Sequence, residues 1–450
     1  MGTILSVIPP ILCIGLALWT KNIIVSLFIG ILVGSVIING INFLPPIIDE
    51  YMTNGLKSNT NVLICLILIG IMLQFIKRAG GFKAFGAWCR ERVNTPRQTL
   101  IYTFWFSMLF SVATNLGSIS IPRVMKGPAL QNNMPLAKVT MVVASVVNAA
   151  SSLLPFTNYI LFFSGLIVSS VEGYDGYSLF IQCIPFQFFG ILSIITSGLY
   201  AYGIIPDIGP IKRLSENQIT STTNEGSSDS DIEVLGGPDV VSDIFALIVP
   251  FGALIVAIPL FSFIKGGLVV TSGILVGTIT SVIYATARKR VKFSELTGGF
   301  AAGFREIGMV FLILLFAFTF GQIVTTLGFS AYVIGLLGDN FNGGVIPMVT
   351  FLMCCLIAYT TGSLSAAAVI VFPLGLPLAL AAGINIPLTI GACISGAHFG
   401  DLFSPISDSV ILPSESMGIS PVETSRVLVP YRLIQLVICA VVFLICGYVL

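Results

Sequence analysis

Long apolar runs alternate along this chain with short polar or charged connections. A helix that crosses a bilayer needs roughly 20 predominantly apolar residues. Stretches of about that length lie at 4–20, 22–40, 61–79, 99–116, 118–134, 137–171, 178–205, 243–262, 267–287, 303–327, 343–361, 364–383, 387–414 and 428–450. The pattern predicts an all-α polytopic membrane protein with about 12 to 14 membrane segments, helices broken inside the membrane and hairpins among them. Residues 118–134 contain Arg123, Lys126 and two prolines, which predicts a re-entrant hairpin there. Residues 137–171 are too long for one straight crossing, and Pro155 near the middle predicts a break.

One long polar segment interrupts the apolar pattern. Residues 214–237 are rich in Ser, Thr, Asn and acids, a composition that does not bury a core. The expected organisation is a first transmembrane repeat over 1–205, a flexible cytoplasmic linker over 206–242 and a second repeat over 243–450. Basic residues gather in two connections. One holds Lys77, Arg78, Lys83, Arg90, Arg92 and Arg97; the other holds Arg288, Lys289, Arg290 and Lys292. The positive-inside rule places both in the cytoplasm. Counting crossings from them puts Asp49–Glu50, Glu172–Asp175 and both termini outside.

Composition narrows the class further. The 450 residues are 56% hydrophobic and 9% charged, with mean hydropathy +1.01, where a soluble domain carries about 25% charged residues. A formal net charge of +1 and the lack of a basic, aromatic-rich segment give no reason to expect nucleic acid. The nine cysteines lack CxxC spacing, so they are read as packing residues and not as zinc or redox ligands. The first apolar segment is followed at once by a second and is read as a span, not a cleaved signal. No HExxH, Walker A or GxSxG sequence occurs, so no enzyme is expected. A channel would need a ring of filter groups, and no filter-like loop is visible.

The two halves repeat each other. MPL (134–136) parallels IPL (386–388), and LPFTNYILF (154–162) parallels SPISDSVIL (404–412). Both of the latter contain Pro-x-hydroxyl-Asx. Upstream, SVATNLGSISIP from Ser111 parallels TGSLSAAAVIVFP from Thr361. The orientation count makes the repeat inverted, which is the sequence pointer to a secondary transporter with a site near the bilayer midplane.

Two carboxylates lie in the second broken segment, SGAHFGDLFSPISDS (395–409). Charge in hydrocarbon is costly, so such residues face a polar cavity and do work. Asp401 and Asp408, with the Ser404 and Ser407 hydroxyls, form an oxygen donor set suited to a small hard cation or a proton. Asp401 and Asp408 are the candidate cation ligands. Thr114, Asn115, Ser118, Arg123, Asn148, Thr157, Asn158 and Ser363 are candidate substrate-binding residues. Arg123 reads equally as a counter-charge for a substrate carboxylate or as a snorkelling side chain. His398 is the single histidine and reads as a packed hydrogen-bonding residue or a pH sensor.

These segments, in order, resemble the NhaC-type sodium/proton antiporter family. The resemblance rests on GIMLQFIKRAGGFKAFG (70–86), SVATNLGSISIPR (111–123), FTFGQIVTTLG (318–328), TGSLSAAAVIVFPL (361–374), GAHFGDLFSPISDS (396–409) and VPY (429–431). It implies ion-coupled transport by alternating access in a bacterial cytoplasmic membrane, with no bound cofactor beyond the coupling Na+ or H+. The departures are Ala144 where the family usually has an aspartate, Leu364 and Ala366 where an aromatic is usual, and Arg432 after VPY. Loss of the first-half carboxylate opens a second expectation, ion-coupled transport of a small organic acid or amino acid. Expected partners are the small ion or solute, the lipid bilayer and, as a candidate, a second copy of the chain.

Overall fold

The computed structural model describes residues 3–20, 22–84, 93–154, 157–171, 173–217, 241–265, 270–329, 332 and 343–450. Among these residues the regular structure is helical. In the first half the helices are α1 (Ile8–Thr20), α2 (Ile23–Asn39), α3 (Thr53–Arg78), α4 (Pro96–Phe110), α5 (Thr114–Gln131), α6 (Leu136–Leu153), α7 (Asn158–Ser170), α8 (Gly176–Cys183) and α9 (Phe188–Ala201). The short α10 (Pro210–Asn217) follows. The second half contains α11 (Phe245–Lys265), α12 (Val270–Ala287), α13 (Leu296–Leu327), α14 (Ile346–Thr361), α15 (Leu364–Ala381), α16 (Ile386–Phe403), α17 (Asp408–Met417) and α18 (Pro421–Val449).

Hydrocarbon offers the backbone no hydrogen-bond partners, so each apolar run closes its own ladder as a helix. Polar residues at the ends satisfy the free amides. Asn22 accepts from the amides of Ile24 and Val25, Thr95 from Gln98, Ser363 from Ala366 and Asn385 from Leu388. Eight helical stretches among the described residues are long and apolar enough to cross a membrane, and the bent pair 176–186 and 188–201 supplies a ninth. Four shorter apolar helices accompany them.

Three expected spans differ in detail. The stretch 178–205 is bent by 50°, because Gln187, after Pro185, leaves helical geometry at φ −79°, ψ 61°. The stretch 387–414 divides into α16 and α17 at residues 404–407. The stretch 118–134, expected to form a re-entrant hairpin, instead belongs to one helix: α5 follows a 3-10 turn over Ser111–Ala113 and runs through Pro122 and Pro128 without a break. The expected break near Pro155 falls between α6 and α7; Pro155 and Phe156 lie outside the described residues.

The repeat is closer in the helices than in the residues. Adding 250 to the bounds of α5 (114–131) and α6 (136–153) gives those of α15 (364–381) and α16 (386–403), and the starts of α7 and α17 differ by the same amount. The packing repeats as well. α4, α5 and α6 pack on one another, as do α14, α15 and α16. Then the two units exchange partners: α7 packs on α15, while α17 packs on α5. Each half-helix beyond a break is therefore covered by the other unit.

Arg432 ties α18 to the first unit. Its side chain is 1% exposed. It donates to Ser193 Oγ (2.9 Å), Gln435 Oε1 (2.7 Å) and Ser145 Oγ (2.7 Å), and it lies 5.0 Å from the Phe189 ring centroid. The planar guanidinium reaches three acceptors at fixed angles, which an ammonium cannot copy. Arg432→Lys is expected to cost about 1.5–3 kcal/mol, read as a lower unfolding midpoint in detergent. An unchanged midpoint would mean that these bonds do not hold α18 in place.

Part of the segment expected to be a flexible linker is docked. Ile208 N donates to Tyr431 Oη (3.1 Å), Tyr431 donates to the Pro206 carbonyl (3.1 Å), and Ile211 is fully buried. Apolar burial by Ile211 holds this end against α18. Residues 218–240 lie outside the described residues.

Candidate functional site

Where the two units exchange half-helices, the helices leave a cavity of about 310 Å³. Its polar wall is built from the start of α5 (Thr114, Ser118), the end of α6 (Asn148), the start of α7 (Tyr159), the entry to α15 (Gly362, Ser363, Ser365), the end of α16 (Asp401) and the start of α17 (Asp408, Ser409). Its apolar wall comes from α3 (Leu73) and α13 (Ile307, Val310, Ile313). The starts of four helices, α5, α7, α15 and α17, thus contribute to one cavity. The amides and dipoles at helix N-termini favour negative charge there.

Asp401 is the more buried of the two carboxylates at the cavity, 4% exposed. Ser407 Oγ donates to its Oδ1 at 2.6 Å, and Ser409 Oγ donates to its Oδ2. Ser407 also accepts from the Ser409 amide (3.1 Å), so it caps α17 while it holds the carboxylate. Asp408 begins α17 and is exposed at the same cavity. Among the described residues no Lys or Arg lines the cavity. Ionised Asp401 therefore has hydroxyl donors and helix ends as partners, and no cationic side chain among the described lining residues.

The expected site residues divide. Asp401, Asp408, Thr114, Ser118, Asn148 and Ser363 share the cavity. Ser407 stands behind Asp401 as its hydrogen-bond donor. Ser404 is fully buried at the break, and its Oγ has no partner. Thr157 caps the broken end of α6, donating to the Ser151 carbonyl at 2.6 Å. Arg123 is half-buried on α5 and is not among the cavity-lining residues. The side chains of Asn115 and Asn158 lie outside the described residues.

Tyr159 was not anticipated. It donates to Asn148 Oδ1 at 3.3 Å and packs edge-on against His398, ring centroids 5.6 Å apart. The repeat held the signal, since a shift of 250 places Tyr159 opposite Ser409 and Asn148 opposite His398. His398 is 1% exposed, and neither ring nitrogen has a hydrogen-bond partner. It also lies near the Phe163 ring, at 6.5 Å.

Among the described residues no cluster of three or more His, Cys, Asp or Glu could hold a metal ion. The cavity instead offers carboxylate, hydroxyl and amide oxygens, the donor chemistry of a hard monovalent or divalent cation.

Comparison with known proteins places this site in context. Residues 154–448 match the Na+/H+ antiporter family. An uncharacterized protein of Haemophilus influenzae is 21% identical over 483 residues, covering 99% of this chain and 91% of that protein. The malate-2H(+)/Na(+)-lactate antiporter of Bacillus subtilis is 29% identical over 133 residues, 25% of this chain and 28% of that protein. Two solved transporters share the fold. The YdaH transporter of Alcanivorax borkumensis aligns with TM-score 0.64 and 14% identity, over 89% of this chain and 87% of its own. MtrF of Neisseria gonorrhoeae aligns with TM-score 0.63 and 15% identity, over 91% and 85% respectively.

Proposed function

The chain belongs to the Na+/H+ antiporter family, and on that premise we propose that it is a secondary active transporter that exchanges sodium for protons through the cavity at Asp401 and Asp408. The observation that carries this reading is a buried carboxylate in a cavity with no basic side chain among its described lining residues. An uncompensated buried charge is expensive. Either Na+ or H+ neutralises Asp401, and the two compete for the same oxygens. Competition for one carboxylate is the simplest device for exchange, because loading one ion displaces the other. Asp408, exposed at the cavity, receives ions on their way to or from Asp401.

The repeat supplies the conformational half of the mechanism. In this reading the two units are inverted, and Ser407, Ser409 and Asp401 form the joint between α16 and α17. Exchange of half-helices between units lets one rocking motion open the cavity to either side in turn. The setting is a cell membrane, with the basic connections in the cytoplasm.

A second reading has its own support. The cavity is large for one ion, and the starts of four helices contribute to it, an environment that favours an anionic group. An organic acid bound with Na+ would fit such a cavity, and the Bacillus subtilis relative is named for malate and lactate.

Proteoliposomes with an interior pH dye separate the two. An outward-directed Na+ gradient alone should drive proton flux if the first reading holds. Flux that appears only with a dicarboxylate or hydroxy acid present selects the second. Absence of flux under both conditions at every pH would remove sodium/proton coupling from the account.

A further inference from the structure

His398 is a polar ring enclosed by aromatic ones. It lies on α16 and is 1% exposed, and among the described residues neither of its ring nitrogens has a hydrogen-bond partner. A neutral imidazole carries one N–H donor and one acceptor nitrogen. Burying both unpaired forfeits their hydration, and native structures rarely leave such groups so. The neighbours in ring contact are Tyr159, edge-on with centroids 5.6 Å apart, and Phe163 at 6.5 Å.

The repeat points to a partner. Asn148 on α6 and His398 on α16 occupy equivalent positions under the shift of 250 residues. Tyr159 touches both. Its hydroxyl donates to Asn148 of its own unit, and its ring packs on His398 of the other. The bond to Asn148 is long, at 3.3 Å, where hydroxyl donors usually sit about 2.7–2.8 Å from their acceptors. One donor thus stands between two equivalent positions, of which it uses one.

We propose that the Tyr159 hydroxyl passes from Asn148 Oδ1 to a ring nitrogen of His398 when the transporter turns from one side of the membrane to the other. His398 is then a positioning residue, the acceptor that holds Tyr159 in the second state. The proposal rests on the reading of two units that rock about the cavity, because that motion displaces α6 against α16. The exchange of partners reaches the ion site. Asn148 and Tyr159 both line the cavity that holds Asp401. With Tyr159 drawn to His398, Asn148 Oδ1 is freed as an oxygen ligand there, and amide oxygens suit hard cations. The first unit lends a neutral ligand in one state and withdraws it in the other. Sodium therefore favours the state in which Tyr159 is bonded to His398, since a ligand shifts a conformational equilibrium through its different affinity for the two states.

His398 is the single histidine of the chain, so protein labelled with nitrogen-15 in histidine alone reports this ring by magnetic resonance. Spectra are recorded in lipid bilayers at one pH, about 8, above the usual imidazole range, with and without saturating sodium. The parent should show a hydrogen-bonded acceptor nitrogen in a fraction of molecules, and sodium should raise that fraction. Tyr159→Phe keeps the ring, removes the donor and should lose the bonded signal altogether. His398→Phe should slow sodium-driven proton flux about tenfold. His398→Gln, which restores an acceptor, should bring flux back to within about twofold of the parent. An unbonded acceptor nitrogen under every condition would overturn the proposal. So would a bonded signal that survives Tyr159→Phe, or parent-like flux in His398→Phe. A bonded signal that needs Tyr159 but ignores sodium would uphold the exchange of partners and count against sodium as the transported ion.

Discussion

Asp401→Asn is expected to abolish both sodium-dependent thermal stabilisation and sodium-driven proton flux. Asparagine keeps the size and one acceptor but removes the charge that a cation or proton neutralises. At sodium about a hundredfold above its Kd, a bound ion stabilises the native state by about 2.7 kcal/mol. That increment should vanish in the variant, while stability without sodium stays near that of the parent, since Ser407 can still donate to the remaining carbonyl oxygen. Asp408→Asn should do less, because Asp408 is exposed where Asp401 is buried. Its expected signature is a weaker apparent sodium affinity with flux retained at high sodium. Full stabilisation by sodium in Asp401→Asn would move the ion site elsewhere and remove the basis for the proposed exchange.

The second large effect concerns the scaffold beneath that carboxylate. α16 presents Gly396 and Gly400 to α14 at a spacing of four, the small-residue pattern that lets membrane helices approach closely. A Cβ at Gly400 would lie 2.3 Å from the Cys355 carbonyl oxygen and 2.7 Å from Ala358 Cβ. At Gly396 the corresponding distance to the Phe351 carbonyl oxygen is 2.2 Å. These obstacles are backbone or short, so the helices themselves must separate. Gly400→Val is expected to cost about 3 kcal/mol or more and to collapse the yield of monodisperse protein. Gly308→Ala, where an added Cβ meets nothing within 4 Å, should leave yield unchanged. Parent-like melting of Gly400→Val would show that α14 and α16 are not in such close contact. Because Asp401 follows Gly400 directly, a smaller change at this position should also displace the carboxylate and lower flux.

Much of this architecture can be read along the chain because the bilayer leaves few alternatives. Apolar runs become helices, and both breaks fall at the Pro-x-hydroxyl-Asx sequences, whose Ser or Thr satisfies backbone groups freed at a helix end. Ser407 does so for α17, and Thr157 closes the end of α6. What the pattern cannot supply is a face. Helices that are apolar on every side carry no stripe to say what each one meets. Thus Tyr159 entered the cavity unannounced, and Thr157, alike in sequence to Ser407, proved to serve a broken helix end.

The same limit applies to charge. Asp401 and Asp408 look equivalent as two acids in an apolar run, yet one is buried between serines and the other is exposed. Arg123 and Arg432 look equally out of place, yet Arg432 is held by three neutral acceptors from α6, α9 and its own helix. By itself the sequence determined a helical membrane protein of two related units with two carboxylates at one break, because hydrocarbon forces backbone and charge into few arrangements. Only the tertiary structure decided which side chains share the cavity. That depends on α7 and α17 crossing to the opposite unit, a packing choice made between surfaces that are equally apolar in sequence.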